Sequence, residues 1–330
     1  MSPIIMMSGL KSIKKPIENH LEEFQKVFRK TARSRVYLLN IITNYILKSK
    51  GKQMRPLFVI YSSLLFDKVD TSTYNAATLI ELMHTATLVH DDVVDDSMER
   101  RGRFSINALW KNKAAVLVGD YLLSRGLLLA LENKEYGLLE IVSKAVKDMR
   151  EGELLQIEKA RKLDISEEVY YEIIRQKTAS LLAACFATGA ASAGASEEDI
   201  NKMHQVGENA GMAFQIKDDL FDFQKTNIAG KPTGIDIKEK KMTLPLIYLL
   251  NNSASAEKRQ MINIVKRHNN DRKKVEFLME KVSNSGGMKY ATEKMHEFKQ
   301  KALDILYDFP DNQARKTLEQ LIHYTIDRKK

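Results

Sequence analysis

Along most of this chain the apolar residues recur at intervals of three and four, as in Leu79, Leu82, Met83, Ala86 and Val89. That is the period of one buried face on an α-helix, not the alternation of a half-buried strand. Proline stands only at 3, 16, 56, 232, 245 and 310, so Leu57 to Lys231 is free to form unbroken helices. The pattern predicts helices near 17–32, 35–48, 56–66, 74–95, 114–131, 137–159, 167–193 and 197–223. Weaker patterns follow near 243–251, 257–267, 272–283, 287–308 and 312–327. Breaks are read at "KSKGKQMRP", "SMERRGRFS", Leu163-Asp164-Ile165-Ser166 and "TNIAGKPTGID". The expected fold class is all-α.

At 330 residues, 44% hydrophobic and 29% charged, the chain has enough apolar surface for one large core. A single domain over residues 1–330 is expected, with 1–15 a flexible terminus. The apolar patch in "MSPIIMMSGLKSIKKP" precedes its lysines, the reverse of a secretory signal, so a cytoplasmic location is expected. Apolar stretches such as Ala179 to Ala187 fall short of a membrane span. The lone cysteine, Cys185, excludes an intrachain disulfide and reads as packing. The formal charge of +9 favours anionic partners. Because the basic residues are spread along the chain, no nucleic-acid role is expected.

Two clusters change the picture from fold to chemistry: Asp91-Asp92-x-x-Asp95 and Asp218-Asp219-x-x-Asp222. On a helix, i and i+4 share a face, so Asp91 and Asp95 pair, as do Asp218 and Asp222. Both clusters lie in apolar surroundings, "TATLVHDDVVDD" and "MAFQIKDDLFDF", which argues against a merely solvated acidic patch. Clamps of hard oxygen ligands suit Mg²⁺, which bridges carboxylates to substrate phosphates. Basic residues at the breaks, Lys52, Arg55, Arg100 and Arg101, would take the remaining phosphate oxygens, with Lys177, Lys231 and Lys241 as further candidates.

In the motifs "GKQMRP", "ELMHTATLVHDDVVDDSMERRG", "LVGDYLLSR", "EGELLQ", "QKTASL", "GMAFQIKDDLFDF" and K-x-TLPL, in that order, the sequence closely resembles the trans-polyprenyl diphosphate synthases. Octaprenyl diphosphate synthase is the kind of member it is most like. The resemblance implies an all-helical homodimer in which each single-domain subunit has a central cavity. That cavity would take an allylic diphosphate and isopentenyl diphosphate and join them head to tail. By motif match Asp91, Asp92, Asp95, Asp218, Asp219 and Asp222 would hold Mg²⁺, three ions per site, with Asp91, Asp95 and Asp218 the most direct ligands. Arg100, Lys177 and Lys231 would grip the allylic diphosphate. Lys52, Arg55, His84 and Arg101 would bind isopentenyl diphosphate. Thr178 and Gln215 would lie beside the reacting carbons. Two positions depart from the family pattern: Lys50-Gly51 replaces a double glycine, and Lys240 replaces the glycine before Lys241.

The chemistry needs no side-chain general base, because the departing diphosphate can take the proton; His90 is therefore read as a residue that packs, or that supports the site from behind without touching substrate. Chain length is expected to follow the side chains below Asp91. Ala86 and Thr87 are small where short-chain members carry an aromatic, and Met83 and Leu79 are candidate floors. A C30–C40 product is expected; a C15–C20 synthase is the alternative. Such a product implies transient membrane contact on release. A class I terpene cyclase is disfavoured by the all-aspartate second cluster, and a His-Asp phosphohydrolase leaves that cluster unexplained. A non-catalytic partner would be expected to have lost ligands, and none is lost here.

Overall fold

A computed structural model describes residues 3–48, 51–100, 102–163, 165–223 and 234–327. The helices in chain order are α1 (Pro3–Lys14), α2 (Glu18–Ala32), α3 (Tyr37–Lys48), α4 (Met54–Leu64), α5 (Thr71–Val94), α6 (Ile106–Glu132), α7 (Tyr136–Lys162), α8 (Glu167–Ile174) and α9 (Ser180–Ala193). They continue with α10 (Glu197–Asp222), α11 (Ile235–Lys238), α12 (Leu244–Asn251), α13 (Ser255–Arg267), α14 (Arg272–Asn284), α15 (Gly287–Tyr307) and α16 (Gln313–Ile326). A π-helical turn, Arg175–Ala179, joins α8 to α9. The predicted all-α class holds, and the helix at 167–193 carries this turn inside it.

Three differences from the sequence reading have local causes. The break "SMERRGRFS" contains a two-stranded antiparallel hairpin, β1 (Glu99–Arg100) with β2 (Arg103–Phe104), whose Gly102 takes φ 70°. Residues 1–15, expected as a flexible terminus, contain α1, whose end is tied down because Ile13 is buried and its carbonyl accepts from the Tyr61 hydroxyl at 2.5 Å. Helix α6 starts at Ile106, capped by the Ser105 hydroxyl on the Ala108 N–H, and kinks at Lys111. Its 18-residue window of mean hydropathy 1.6 reaches the length and composition of a membrane span, with 39% buried, because Asp120 and Arg125 interrupt the apolar runs without balancing them.

The chain divides into two compact units. Unit 1 comprises 1–146, 183–204 and 306–321, and unit 2 comprises 147–182, 205–305 and 322–330. In unit 1, α5 and α6 pack side by side around Leu82, Ala86, Val89, Val118 and Leu122, with Ile42 of α3 and Ala32 of α2 closing the cluster. Asp70 starts α5 by accepting from the Ser72 N–H at 2.9 Å, and the Thr73 hydroxyl answers to the Asp70 N–H in a capping box. In unit 2, Tyr248 of α12 stacks on Tyr290 of α15 at 4.8 Å, and Tyr171 of α8 meets Phe298 edge-on.

Candidate active site

The first aspartate cluster closes α5 in unit 1, and its three carboxylates are not equivalent. Successive residues on a helix lie about 100° apart, so Asp91 and Asp92 cannot share a face, whereas Asp95 returns to that of Asp91. Asp92 turns inward, 3% exposed, and accepts from Arg100 Nε at 2.6 Å. The hairpin makes this possible by folding Arg100 back over the helix end, held by Ser97 N–H to the Asp92 carbonyl and by the Ser105 hydroxyl to the Ser97 carbonyl. Burial raises the Asp92 pKa and Arg100 pulls against that rise. Asp91 is half-buried and Asp95 exposed.

Asp92 and Arg100 line a cleft of about 150 Å³ with His84, Glu81, Gly51 and Gln53. Gln53, at φ 57°, turns the chain between exposed Lys52 and half-buried Arg55. His90 points elsewhere, with Nε2 3.2 Å from the Val116 carbonyl and 3.3 Å from Asp120 Oδ1. Its ring fits against α6 only because residue 119 is glycine, since a Cβ there would lie 2.1 Å from Nε2. The expected packing role agrees with this position. Ala86, Thr87, Met83 and Leu79 are buried at 0, 2, 3 and 1% exposure and do not line the cleft. Met83 and Leu79 lie against Gly126, where a Cβ would come within 3.1 Å of Met83 Cε and 3.2 Å of Leu79 Cδ1.

In unit 2 the second cluster closes α10. Asp219 is 6% exposed and held from both sides, by the Tyr170 hydroxyl at 2.7 Å and by Gln215 Nε2 at 2.8 Å. The Thr178 hydroxyl donates to Gln215 Oε1 at 2.7 Å, which fixes the direction of the amide. Burial pushes the Asp219 pKa up to about 6 while Tyr170 and Gln215 oppose the rise. Asp222 accepts backbone N–H bonds from Ile235 at 3.0 Å and Asp236 at 3.1 Å. Asp236, which sequence reasoning did not single out, is raised to about 7 by burial and by the charges of Asp219 and Asp222. Its position 14 residues beyond Asp222 gave no periodic signal.

Lys177, Thr178, Gln215, Asp219, Asp236 and Lys241 line one cleft of about 130 Å³ in unit 2. Lys177 Nζ pairs with Glu153 at 2.7 Å and Gln156 Oε1 at 3.2 Å, both from the "EGELLQ" stretch of α7. The π turn that presents Lys177 and Thr178 depends on two glycines. A Cβ on Gly152 would lie 2.7 Å from the Lys177 N atom, and one on Gly211 would lie 2.5 Å from Ala179 Cα. π insertions of this kind recur at functional sites. Lys241 Nζ is 2.5 Å from Glu239 and 3.8 Å from Asp236. Burial disfavours the charge of Lys241, but these carboxylates outweigh it and raise the pKa. Lys240 sits at φ 59° where α11 ends, the left-handed position that glycine occupies without strain. Arg101 and Lys231 lie outside the described residues.

Carboxylate oxygens dominate both clusters, and hard oxygen donors of this kind suit a divalent cation such as Mg²⁺ or Ca²⁺. Among the described residues no three His, Cys, Asp or Glu side chains gather as a ready cage.

The polyprenyl synthetase family model matches residues 36–282. Octaprenyl diphosphate synthase of Escherichia coli K12 is 34% identical over 296 residues, 89% of this chain and 91% of its own length. A decaprenyl diphosphate synthase from Rhodobacter capsulatus superposes with a TM-score of 0.91 at 30% identity, covering 97% of this chain and 99% of that one. A polyprenyl synthase from Caulobacter crescentus CB15, complexed with calcium and isoprenyl diphosphate, does so at 0.88 and 31% identity over 97% and 98%. A geranylgeranyl pyrophosphate synthase from Bacteroides thetaiotaomicron does so at 0.82 and 36% identity over 97% and 100%. With its motifs in order and the match spanning most of its length, this chain belongs to the polyprenyl synthetase family.

Proposed function

We propose that this protein is a trans-prenyltransferase that condenses isopentenyl diphosphate with an allylic diphosphate to give a linear polyprenyl diphosphate of C30–C40. The observation that carries the reading is the built hydrogen-bond chain Thr178–Gln215–Asp219–Tyr170 beside Lys177, alongside a first cluster in which Arg100 pins Asp92. In each cluster the middle carboxylate is held by a neighbouring donor, and in the second Asp222 is held as well.

Asp91, Asp95 and Asp218 are the carboxylates that would hold Mg²⁺, up to three ions per site. The bound cation supplies neutralisation of the charge that develops as diphosphate leaves. Lys177 exchanges Glu153 and Gln156 for a diphosphate oxygen, a trade of one charge-assisted contact for another. The oxygens of Thr178 and Gln215 stabilise positive charge on the allylic carbon without offering a nucleophile. The double bond of isopentenyl diphosphate attacks that carbon, the carbon–oxygen bond breaks, and a proton leaves to diphosphate. His84, Lys52 and Arg55 orient the isopentenyl diphosphate, and Arg100 holds the departing diphosphate.

Incubation with farnesyl diphosphate, labelled isopentenyl diphosphate and Mg²⁺ tests this. Label should pass into C30–C40 product and stop on chelation. Absence of label uptake refutes the reaction; C15 or C20 as the main product refutes the length alone. The shorter reading has one specific support, the 36% identity to a geranylgeranyl pyrophosphate synthase. Self-association is supported by the outward face of α6, where Val116, Leu117, Leu127, Leu128 and Leu131 are all more than 40% exposed. Sedimentation velocity should give a dimer.

A further inference from the structure

Residues 24–66 contain nine lysines and arginines and no aspartate or glutamate, the local source of a positive field in a chain whose whole excess is +9. The centre of this stretch is the corner between α2 and α3. There Val36, Tyr37, Leu38 and Ile41 stand 59, 80, 49 and 40% exposed, ringed by exposed Arg29, Lys30, Arg33 and Arg35.

The corner is built, not loose. Tyr121 of α6 donates to the Arg33 carbonyl at 2.6 Å and Arg125 Nε to the Thr31 carbonyl at 2.7 Å. Asn40 closes the turn from both sides, accepting from the Ser34 N–H at 2.9 Å and donating to its carbonyl at 2.6 Å, while the Val36 N–H bonds the Ser34 hydroxyl. Ile42 and Thr43 bury the opposite face of α3. A soluble surface gains nothing by holding Val, Tyr, Leu and Ile rigidly in water.

We infer that the α2–α3 corner docks on a bilayer that carries anionic headgroups, its four apolar side chains entering the interface and its arginines and lysine lying at headgroup level. Charge selects this occupant. A second copy of the chain would bring the same positive ring against itself, whereas anionic lipid complements it. Tyrosine with aliphatic neighbours is the composition of interfacial anchors. Placement gives the docking a use. Tyr45, Ile46 and Leu47, at the other end of α3, line the cleft that holds His84, Asp92 and Arg100. One helix thus borders both the cleft and the docking corner, so a prenyl product would leave beside the lipid that receives it. That last clause rests on the proposed reaction; the docking itself does not.

The test is co-sedimentation of the full chain with vesicles of phosphatidylcholine, with and without about one quarter phosphatidylglycerol, at low and high salt. Binding is expected to the anionic vesicles at low salt, weakened by salt and by removal of phosphatidylglycerol. The variant Arg33→Gln/Arg35→Gln should weaken partitioning roughly 30-fold, and Tyr37→Ser/Ile41→Ser at least roughly tenfold. Both should keep wild-type turnover of short soluble allylic substrate, a readout that reports on the proposed reaction separately. Failure of wild-type protein to bind anionic vesicles overturns the inference, as does equal binding by either variant. Loss of a dimer in Tyr37→Ser/Ile41→Ser also overturns it, by making the corner an interface between copies.

Discussion

Replacing Tyr170 by phenylalanine removes one hydroxyl and keeps the ring, so it isolates what holds Asp219. In the wild type the Tyr170 O–H donates to Asp219 Oδ2 at 2.7 Å inside the protein. Burial, and then the neighbouring Asp219 charge, raise the Tyr170 pKa well above 10, so it remains a donor throughout the working range. Asp219 ionises at about 6, above the value near 3.8 of an unperturbed aspartate. Its ionisation therefore opposes folding: the penalty is absent below the unfolded pKa, grows as pH rises through about 6, and is complete above that. Tyr170 offsets part of it. A hydrogen bond to the ionised carboxylate contributes about 1.5–3 kcal/mol, against about 1 kcal/mol to the protonated form. Tyr170→Phe should therefore cost about 1 kcal/mol near pH 5 and about 2–3 kcal/mol near pH 9. The difference corresponds to a further rise of roughly one unit in the Asp219 pKa. Near pH 7 the ionised fraction would fall from about nine-tenths to about one half. Denaturant midpoints for the two proteins at both pH values measure the first claim. The Mg²⁺ concentration for half-maximal turnover measures the second; it should rise several-fold near pH 7 and converge on wild type near pH 9. A stability loss equal at both pH values, or larger at pH 5, would refute the reasoning, since the hydroxyl would then not be bonded to a charge.

Three further outcomes follow from contacts already described. Gly152→Ala places a methyl 2.7 Å from the Lys177 N atom, so the π turn must shift; turnover should fall more than roughly tenfold, because misplacement of catalytic groups by ångströms costs that much or more, and unchanged steady-state kinetics would exclude a role for the turn. Glu153→Gln frees Lys177 from its 2.7 Å ion pair and should lower the inhibition constant of inorganic diphosphate several-fold; an unchanged or higher constant would show that the pair does not compete with ligand. Ala86→Phe overpacks a position with no exposure at a cost of about 1–3 kcal/mol and should shorten the main product by at least one five-carbon unit, read by chromatography of the dephosphorylated products; an unchanged length distribution would remove Ala86 from the path of the growing chain.

Helices were legible wherever the 3.6-residue period ran uninterrupted, which covers α2 to α10 and α12 to α16 with boundaries displaced by a few residues, except that α6 begins at Ile106 and not at the expected 114. The hairpin at Glu99–Phe104 was not, because two-residue strands are too short to show alternation. The π turn was also invisible. One extra residue in a helix leaves the apolar spacing almost intact, and its cause lies in Gly152 and Gly211, tens of residues away. Candidate site residues divide the same way. The aspartates announce themselves by density, and Lys177, Thr178, Gln215 and Lys241 by motif. Tyr170 stands in ordinary helical sequence and Asp236 in a segment read as a break, and only packing makes them partners of Asp219 and Asp222.

The two clusters share a spacing but not a division of labour, and the difference follows from what each helix end meets. In the first, Arg100 holds the middle carboxylate, Asp92, while Asp91 and Asp95 share another face of the helix one turn apart. In the second, the middle carboxylate Asp219 is taken by Tyr170 and Gln215, and the last, Asp222, also accepts the N–H groups of Ile235 and Asp236. The same motif is therefore held differently at its two helix ends, by a guanidinium in the first and by a hydroxyl, an amide and two backbone N–H groups in the second. A pair of like charges one turn apart is costly without a cation, so the first cluster should discriminate more sharply between occupied and empty states. The second, braced by neutral donors, is preorganised in either. Substituting Asp95 should accordingly weaken metal dependence more than substituting Asp222, whose carboxylate is already engaged in holding the start of α11.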